Sequence, residues 1–213
     1  DRFNGIKLLE KVIENKVNTF CAPPTIYRFL IKENIKGYDF SNIHHVTTAG
    51  EPLPPEVSKR FKEISGLRIK EGFGQTETVL TIATFDWIDA KLGSIGKPSP
   101  LFDVKLLNEN DEEVDIGQEG EICIDVSHGI SPGLFKEYYK NPEKQAAQWH
   151  DGYYHCGDTA WKDEDGYIHF IGRNDDIIKS SGYRIGPYEV ESAVLSHESV
   201  SNCAITAYPD EIR

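Results

Sequence analysis

Apolar positions in the first part of the chain switch between helical and strand spacing. Leu9, Val12 and Ile13 belong to a stripe of helical periodicity, which predicts an amphipathic helix over residues 3–15. Two further helices are predicted at 26–31 and 54–64. Three short strands are predicted at 17–21, 46–49 and 67–71. Alternation of helix and strand is typical of a layered α/β domain with a parallel sheet, which we assign to residues 1–93.

A different pattern follows, in which short β-type runs are separated by clusters of turn residues. The runs lie at 104–107, 121–126 and 167–171, and turn clusters lie at 108–111 and 163–166. This pattern predicts a small antiparallel β-barrel or sandwich over residues 94–174.

Residues 175–213 predict the start of a small α+β domain. The pattern indicates a short strand, a turn at Gly182, a helix over 187–195 and a strand over 201–207. The sequence contains no Met. We therefore expect the chain to be a fragment of a longer protein, with this last domain truncated.

Charge and cysteine usage narrow the range of partners. The 213 residues include 23 Lys and Arg against 35 Asp and Glu, a net charge of -12, which argues against non-specific binding to nucleic acid or anionic membranes. No run of about 18 apolar residues occurs, so no membrane span is predicted.

The cysteines are Cys21, Cys123, Cys156 and Cys203. Their scatter, without a CxxC pair, favours free thiols in a reducing cytoplasm over a zinc ribbon or a dithiol centre.

The most informative motif directly follows a predicted strand and reads Glu71-Gly72-Phe73-Gly74-Gln75-Thr76-Glu77-Thr78. Its glycines let the backbone approach a ligand closely, because no Cβ stands in the way. The hydroxyl suits a phosphate oxygen, and the carboxylate suits Mg²⁺. A plain tight turn is the alternative, since neither GxxxxGK[ST] nor GxGxxG occurs.

Three further segments carry ligand-type residues, each with a structural alternative. Residues 47–53 also close a predicted strand, although glycine and proline are ordinary turn residues there. Asp158 is suited to accept hydrogen bonds from two ribose hydroxyls, or is a structural residue in a turn. Arg173 and Arg184, in the segment 172–187, offer rigid guanidinium donors to an anion or a ribose. A salt-bridged domain junction is the alternative for that segment.

Three other patterns are weaker. Residues 163–166 begin like a calcium loop but lack its later acids, so we predict a hairpin turn. His44 and His45 would point to opposite faces of an extended segment, which disfavours a metal pair. Cys156 lacks a base at a productive spacing, which disfavours a catalytic thiol.

The four motifs, in the order AGEP, GFGQTE, YHCGD and GRNDDIIKSSGYRIGP, resemble the acyl- and aryl-CoA synthetases, firefly luciferases and peptide-synthetase adenylation domains. The resemblance covers essentially the whole chain, and SSGYRIGPYEVE and GQTET are most similar to medium-chain acyl-CoA synthetases. It implies that a carboxylate attacks the α-phosphorus of Mg·ATP to give acyl-AMP and pyrophosphate. The CoA thiol then displaces AMP, and rotation of the small C-terminal domain separates the two steps.

The resemblance also implies a role for each matching residue. It places Gly50, Glu51 and Pro52 along the adenine. It assigns the nucleotide loop to Glu71, Gly72, Phe73, Gly74, Gln75 and Thr76. Thr76 near the α-phosphate and Glu77 as the Mg²⁺ carboxylate are the implied catalytic pair. Ribose contacts are implied for Asp158 and Arg173, a hinge at Asp175, and CoA contacts for Ser181, Gly182, Tyr183 and Arg184.

Some family features are altered or lie outside the chain. Cys156 stands where members usually carry Thr or Ser. The pyrophosphate loop lies upstream in the family and the adenylation lysine lies downstream, so we expect the 213 residues alone to be inactive. The alternatives are a peptide-synthetase adenylation domain that loads a carrier protein, a luciferase-like oxygenase, and a non-catalytic nucleotide-binding module.

Gly74 leads to a prediction about substrate size. Acetate-specific relatives place Trp at the matching position, so Gly74 implies an acyl pocket open to a medium-chain, branched or aromatic acid. Gly74→Trp is expected to shift the preference of the complete enzyme toward short acids, measured as kcat/KM across an acid series. An unchanged chain-length profile would contradict this hypothesis.

Overall fold

The structure, a computed structural model, describes residues 3–33, 35–197, 199–200 and 202–208. Helices and strands alternate in its first part, as predicted: α1 (Gly5–Glu14), β1 (Thr19–Cys21), α2 (Pro24–Lys32), β2 (His45–Thr48), α3 (Pro55–Ser65) and β3 (Ile69–Phe73). Strand β2 pairs in parallel with both β1 and β3. The α/β fold class and the parallel sheet are thus confirmed.

The ends of these helices follow from local side-chain chemistry. Asn4 caps α1, where its side-chain oxygen accepts a hydrogen bond of 2.8 Å from the Lys7 N–H. Helices α2 and α3 begin with proline, which has no N–H to leave unpaired. Helix α3 ends at Gly66 in the left-handed conformation, with a φ of 77°.

The first hydrophobic core lies between these helices and the parallel sheet. Tyr27 is fully buried, and its ring meets that of Phe61 edge to face at 5.1 Å. Its hydroxyl donates a hydrogen bond of 2.7 Å to the Thr47 carbonyl. Tyr27 therefore ties α2 to the strand whose end leads into the AGEP motif.

Two very short strands extend this sheet beyond what hydrophobic spacing predicts. Strand β4 (Ile82–Ala83) pairs antiparallel with β3, and β5 (Lys97–Pro98) pairs antiparallel with β4. Two residues are too few to show a period of two along the sequence.

The second region is an antiparallel sheet in the order β10-β9-β7-β6, with β8 paired to β9. Its elements are β6 (Val104–Leu107), β7 (Glu119–Asp125), α4 (Pro142–Gln148), β8 (Trp149–His150), β9 (Tyr153–Lys162) and β10 (Ile168–Arg173). Ile122, Ile124, Tyr154 and Ile168 fill its core. The predicted antiparallel β unit is confirmed, and residues 163–166 form the predicted turn between β9 and β10.

Strand β9 corrects the interpretation of the YHCGD motif. We expected Asp158 in a turn, but it lies inside a ten-residue strand and is only 4% exposed. Polar residues and glycine concealed the strand, because they interrupt the alternation that marks one. Helix α4 was missed for a related reason, since none of its residues is buried and it has no apolar stripe.

The last part of the chain forms a hairpin followed by a helix. Strand β11 (Ile178–Ser180) pairs with β12 (Tyr183–Ile185), and α5 (Pro187–Leu195) follows as predicted. Positive φ values of 50° at Ser181 and 85° at Gly182 form the tight turn of this hairpin.

The strand predicted over 201–207 is wrong for 202–207, and Ser201 lies outside the described residues. The segment runs beside α5 instead, where the Ile205 N–H donates a hydrogen bond of 2.9 Å to Glu191 Oε1. A strand needs a neighbouring strand to complete its hydrogen bonds, and none pairs with this segment among the residues described.

The three predicted domains meet closely. Ile82 lies in the first range, 1–93, but is buried in the second core, against which Phe73 also packs. The boundaries of the domains therefore stay a prediction. No helix within the described ranges has the length and apolar character to cross a bilayer.

Candidate functional site

A cavity of ≈ 690 Å³ lies where the parallel sheet, the antiparallel sheet and the C-terminal hairpin meet. Residues from all four motifs line it. The AGEP motif contributes Gly50, Glu51 and Pro52, and the nucleotide loop contributes residues 71–75. Asp158, Arg173 and Asp175 complete the predicted part of the lining.

The parallel strands explain why the first two motifs share one rim. Thr48 of β2 lies opposite Glu71 of β3, and the chain leaves both strands at the same edge of the sheet. The carboxyl edge of parallel strands is where α/β folds bind ligands.

Gly74 packs closely against neighbouring backbone. A Cβ at this position would lie 2.6 Å from the Val79 carbonyl oxygen, so any side chain would force the 79–80 segment to move. Tryptophan at position 74 would therefore change the loop as well as fill the cavity. Only a changed ratio between short and long acids, rather than a general loss of activity, tests the acyl pocket.

The side-chain amide of Gln75 connects the nucleotide loop to β9. Its Nε2 donates to Asp158 Oδ2 at 2.5 Å and to the Cys156 carbonyl at 2.7 Å. Its Oε1 accepts a hydrogen bond of 3.0 Å from the Tyr154 hydroxyl. Both amide hydrogens and the carbonyl oxygen of Gln75 are thus used, which fixes the orientation of the Asp158 carboxylate.

Asp158 is a buried carboxyl beside a cation. Burial raises its pKa to about 6, and the charge of Arg173 opposes that rise. Arg173 lies opposite Asp158 across β9 and β10, and its Nε donates a hydrogen bond of 3.0 Å to Asp175 Oδ1. At neutral pH the Asp158 carboxylate is mostly ionised and able to accept hydrogen bonds.

Glu71 is a second buried carboxyl in the cavity wall. Burial raises its pKa to about 8, although a hydrogen bond of 2.8 Å from the Leu53 N–H lowers it in part. The Leu53 carbonyl accepts a hydrogen bond of 3.0 Å from the Tyr188 hydroxyl of α5. The Leu53 backbone thereby joins β3 to the C-terminal unit.

Thr76 and Glu77 lie just beyond the cavity lining. Thr76 is exposed, and Glu77 Oε1 accepts a hydrogen bond of 2.8 Å from the Tyr138 hydroxyl, which also contacts Gln148. Mg²⁺ prefers oxygen ligands and usually takes one or two carboxylates together with water and phosphate oxygens. A half-buried carboxylate two residues beyond Gln75 fits that requirement.

Residues 1–139 match the family model of the AMP-binding enzymes. The chain belongs to the AMP-binding enzyme family. The predicted resemblance to adenylate-forming enzymes is thereby confirmed.

Relatives of this AMP-binding chain extend along its whole length. It is 45% identical over 212 residues to acyl-coenzyme A synthetase ACSM3, mitochondrial, of Mus musculus. It is 45% identical over 213 residues to YtcI of Bacillus subtilis (strain 168), an uncharacterized acyl-CoA ligase. The chain spans 37% and 40% of the lengths of these two proteins.

A solved structure shows the same fold. The anthranilate CoA ligase AuaEII, in complex with anthranoyl-AMP, superposes with a TM-score of 0.87 at 28% identity. The match covers 96% of this chain and 39% of that chain.

The predicted CoA residues of this AMP-binding chain lie apart from the cavity. Ser181, Gly182, Tyr183 and Arg184 are all exposed at the β11–β12 turn. Arg184 Nη1 donates a hydrogen bond of 3.0 Å to Glu109 Oε1, on the turn that follows β6. The structure therefore does not bring this group together with the nucleotide loop.

Sequence reasoning missed the residues that hold the motifs in place. Tyr154 orients Gln75, Tyr138 orients Glu77, and Tyr188 reaches Leu53. Tyr154 and Tyr188 lie within quoted motifs, but neither was assigned a role from the sequence. The three tyrosines are far from their partners in the chain, and no local pattern indicates such contacts.

Cys156 lies fully enclosed in the second core. Burial raises the pKa of its thiol well above the usual value, so the reactive thiolate is disfavoured. Its carbonyl contributes to the site by accepting a hydrogen bond from Gln75.

The buried Glu71 predicts a specific pH dependence of stability. Its pKa rises from 4.5 to about 8 on folding, so the folded protein retains a proton that the unfolded chain releases within this range. The free energy of unfolding should therefore fall as the pH rises from 4.5 to 8, by up to about 1.4 kcal/mol per pH unit. Glu71→Gln keeps an acceptor for Leu53 and should flatten this fall in urea unfolding of the complete protein.

The exposed Glu63 provides the matched control. Glu63→Gln should leave the pH dependence as in the unmodified protein. If the free energy of unfolding fell as steeply with pH in the Glu71→Gln variant as in the unmodified protein, Glu71 would not be the group that retains the proton.

Proposed function

We propose that the protein containing this chain is an ATP-dependent acyl-CoA synthetase, which activates a carboxylic acid as acyl-AMP and transfers the acyl group to CoA. The observation that carries the proposal is the contact between Gln75 and Asp158 in the wall of the cavity. This contact puts a buried carboxylate next to the nucleotide loop in the cavity wall.

The proposed nucleotide contacts follow the cavity lining. Gly50, Glu51 and Pro52 would lie along the adenine, since they share a rim with the nucleotide loop. The Asp158 carboxylate would accept hydrogen bonds from the ribose hydroxyls. The bond from Gln75 occupies only one of its oxygens, so the carboxylate can accept further hydrogen bonds. The Arg173 guanidinium, on the neighbouring strand, would donate to the ribose or a phosphate.

The protein would promote adenylation by positioning the α-phosphate and by neutralising the charge of the phosphates. Thr76 would offer its hydroxyl to the α-phosphate, and Glu77 would hold Mg²⁺ with Tyr138 fixing its carboxylate. When bound, Mg²⁺ would offset the negative charge of the phosphates. The attacking oxygen belongs to the substrate acid, and pyrophosphate is the leaving group.

Rotation about Asp175 would prepare thioester formation. The exposed group of Ser181, Gly182, Tyr183 and Arg184 lies outside the cavity in this arrangement, so CoA contact requires the C-terminal unit to move. Such movement would break two contacts that join this unit to the rest of the chain, namely Arg184 to Glu109 and Tyr188 to Leu53. Hinge residues of moving domains are a few positions that absorb the backbone change.

The acid proposed is medium-chain, branched or aromatic. Gly74 lines the cavity and leaves it without a side chain at that point. The AuaEII structure holds an anthranoyl-AMP, which supports an aromatic acyl group on this fold.

We place the protein in the cytoplasm. All four cysteines are free, which is typical of a reducing compartment. The relatives named above include both a mitochondrial and a bacterial protein.

Asp158→Asn tests the proposed function in the complete protein. The variant keeps the shape of the side chain but removes its negative charge and replaces one of the two acceptor oxygens with a donor NH2 group. A lost charged hydrogen bond costs about 1.5–3 kcal/mol, so the Kd for ATP should rise about 10- to 100-fold. ATP binding is measured by calorimetry, and turnover as AMP released in the presence of acid and CoA.

The exposed turn between β9 and β10 supplies a control. Asp165→Asn removes the same charge outside the cavity and should leave the Kd for ATP unchanged. Equal affinities of Asp158→Asn and the unmodified protein would contradict the nucleotide role. Release of AMP that does not depend on the acid would contradict the synthetase role.

A further inference from the structure

A cluster of metal-ligating side chains lies on the face of β9 that points away from the cavity. Tyr154 and Cys156 are packed in the second core, and His155 between them points to the opposite side, as strand alternation requires. One ligand atom each from Asp111, His150 and His155 lies within 4.8 Å of the others. The cluster joins the turn after β6 to strands β8 and β9.

One nitrogen in this cluster is buried without a partner. The His155 side chain is 8% exposed, and its Nε2 has no hydrogen-bond partner among the residues described. The Asp111 carboxylate lies 3.9 Å from this nitrogen, beyond hydrogen-bond distance. A buried polar atom left unpaired is costly, so a ligand that it could bind would remove that cost.

A carboxylate lies next to the Nδ1 atom of each of the two histidine rings. His155 Nδ1 lies 3.4 Å from Glu121 Oε2, and His150 Nδ1 lies 3.0 Å from Asp151 Oδ2. The rings stack with centroids 3.9 Å apart and planes at 17°. A carboxylate behind a histidine is the arrangement that orients metal-binding imidazoles and raises their basicity.

We propose that Asp111, His150 and His155 form a binding site for a divalent transition-metal ion of the zinc class. Two imidazoles and one carboxylate match the ligand types that zinc takes, with a fourth position left for water. Metal–ligand bonds of about 2.0–2.1 Å put tetrahedral ligand atoms about 3.3 Å apart. The ligand atoms lie up to 4.8 Å apart, so the exposed His150 ring and the Asp111 turn must move inward by up to about 1.5 Å. The His150 ring must also turn out of its stack with His155, because imidazole lone pairs lie in the ring plane and those of parallel rings do not converge on one ion.

A second set of ligand atoms in the same cluster is less suited. Glu121, Cys123 and the Nδ1 of His155 also lie within range of one another. However, the Nδ1 of His155 already has two neighbours, since Glu121 Oε2 and Cys123 Sγ each lie 3.4 Å from it. The ring nitrogen that is buried without a partner within the described part of the chain is Nε2, which favours the set with Asp111 and His150.

The metal site would stabilise the segment of β9 that carries Asp158. Glu121 Oε1 accepts a hydrogen bond of 2.8 Å from the Gly157 N–H, immediately before Asp158. A metal ion on His155 would hold Glu121, and through it the segment of β9 that carries the proposed ribose ligand. The ion is therefore structural and takes no part in the chemistry.

Metal titration of the complete protein, prepared without a histidine tag and treated with a chelator, tests the proposal. Cobalt(II) should bind at one equivalent and give visible absorption bands without a thiolate charge-transfer band, and calorimetry with Zn²⁺ should show the same stoichiometry. Loss of an outer-shell partner costs about 10- to 100-fold in metal affinity, so His150→Asn should weaken binding at least about tenfold. His150 is 40% exposed, so the variant should fold normally, and Asp111→Asn offers a second test on a turn.

The exposed His128, on the turn after β7, is the matched control. His128→Asn should leave the metal affinity unchanged. Failure to bind either metal, or equal weakening by the control, would overturn the site. A thiolate charge-transfer band that disappears in Cys123→Ser would overturn the choice of ligands.

Discussion

The side-chain amide of Gln75 joins the parallel and antiparallel sheets at the cavity. The parallel sheet presents the nucleotide loop, and the antiparallel sheet presents Asp158 on β9. The Gln75 amide bridges them with two donated hydrogen bonds and one accepted from Tyr154. A cavity between two sheets keeps its shape only if their relative position is fixed, and this amide fixes it at the point where the nucleotide is proposed to bind.

Two buried carboxyl groups determine the charge of the cavity wall. Glu71 and Asp158 line the same cavity, and burial raises the pKa of each, to about 8 and about 6 respectively. At neutral pH one is therefore mostly protonated and the other mostly ionised. The protonated Glu71 would limit negative charge near the proposed nucleotide, whereas the ionised Asp158 would offer an acceptor to its hydroxyl groups. Raised pKa values in a cleft are typical of functional sites.

Local sequence patterns predicted much of the fold and the order of the motifs. The helices and strands of the parallel sheet carry regular apolar spacing, and Pro24, Pro55 and Gly66 mark helix ends. Strand β9 escaped prediction because polar residues and a glycine interrupt its apolar alternation. The strand expected over 201–207 is absent from 202–207 because that segment lies beside α5, where the Ile205 N–H meets Glu191, and has no partner strand among the residues described. Contacts such as Tyr154 to Gln75 join residues far apart in the chain, so they follow from topology and not from local spacing.

A crystal structure of the complete protein with a non-hydrolysable acyl-adenylate analogue would show whether Asp158 binds the ribose. We predict that the ribose hydroxyls lie within about 3 Å of the Asp158 carboxylate. We also expect the adenine to lie along Gly50, Glu51 and Pro52, while Gln75 still contacts Asp158. An analogue bound elsewhere, or in this cavity with its ribose away from Asp158, would contradict the account.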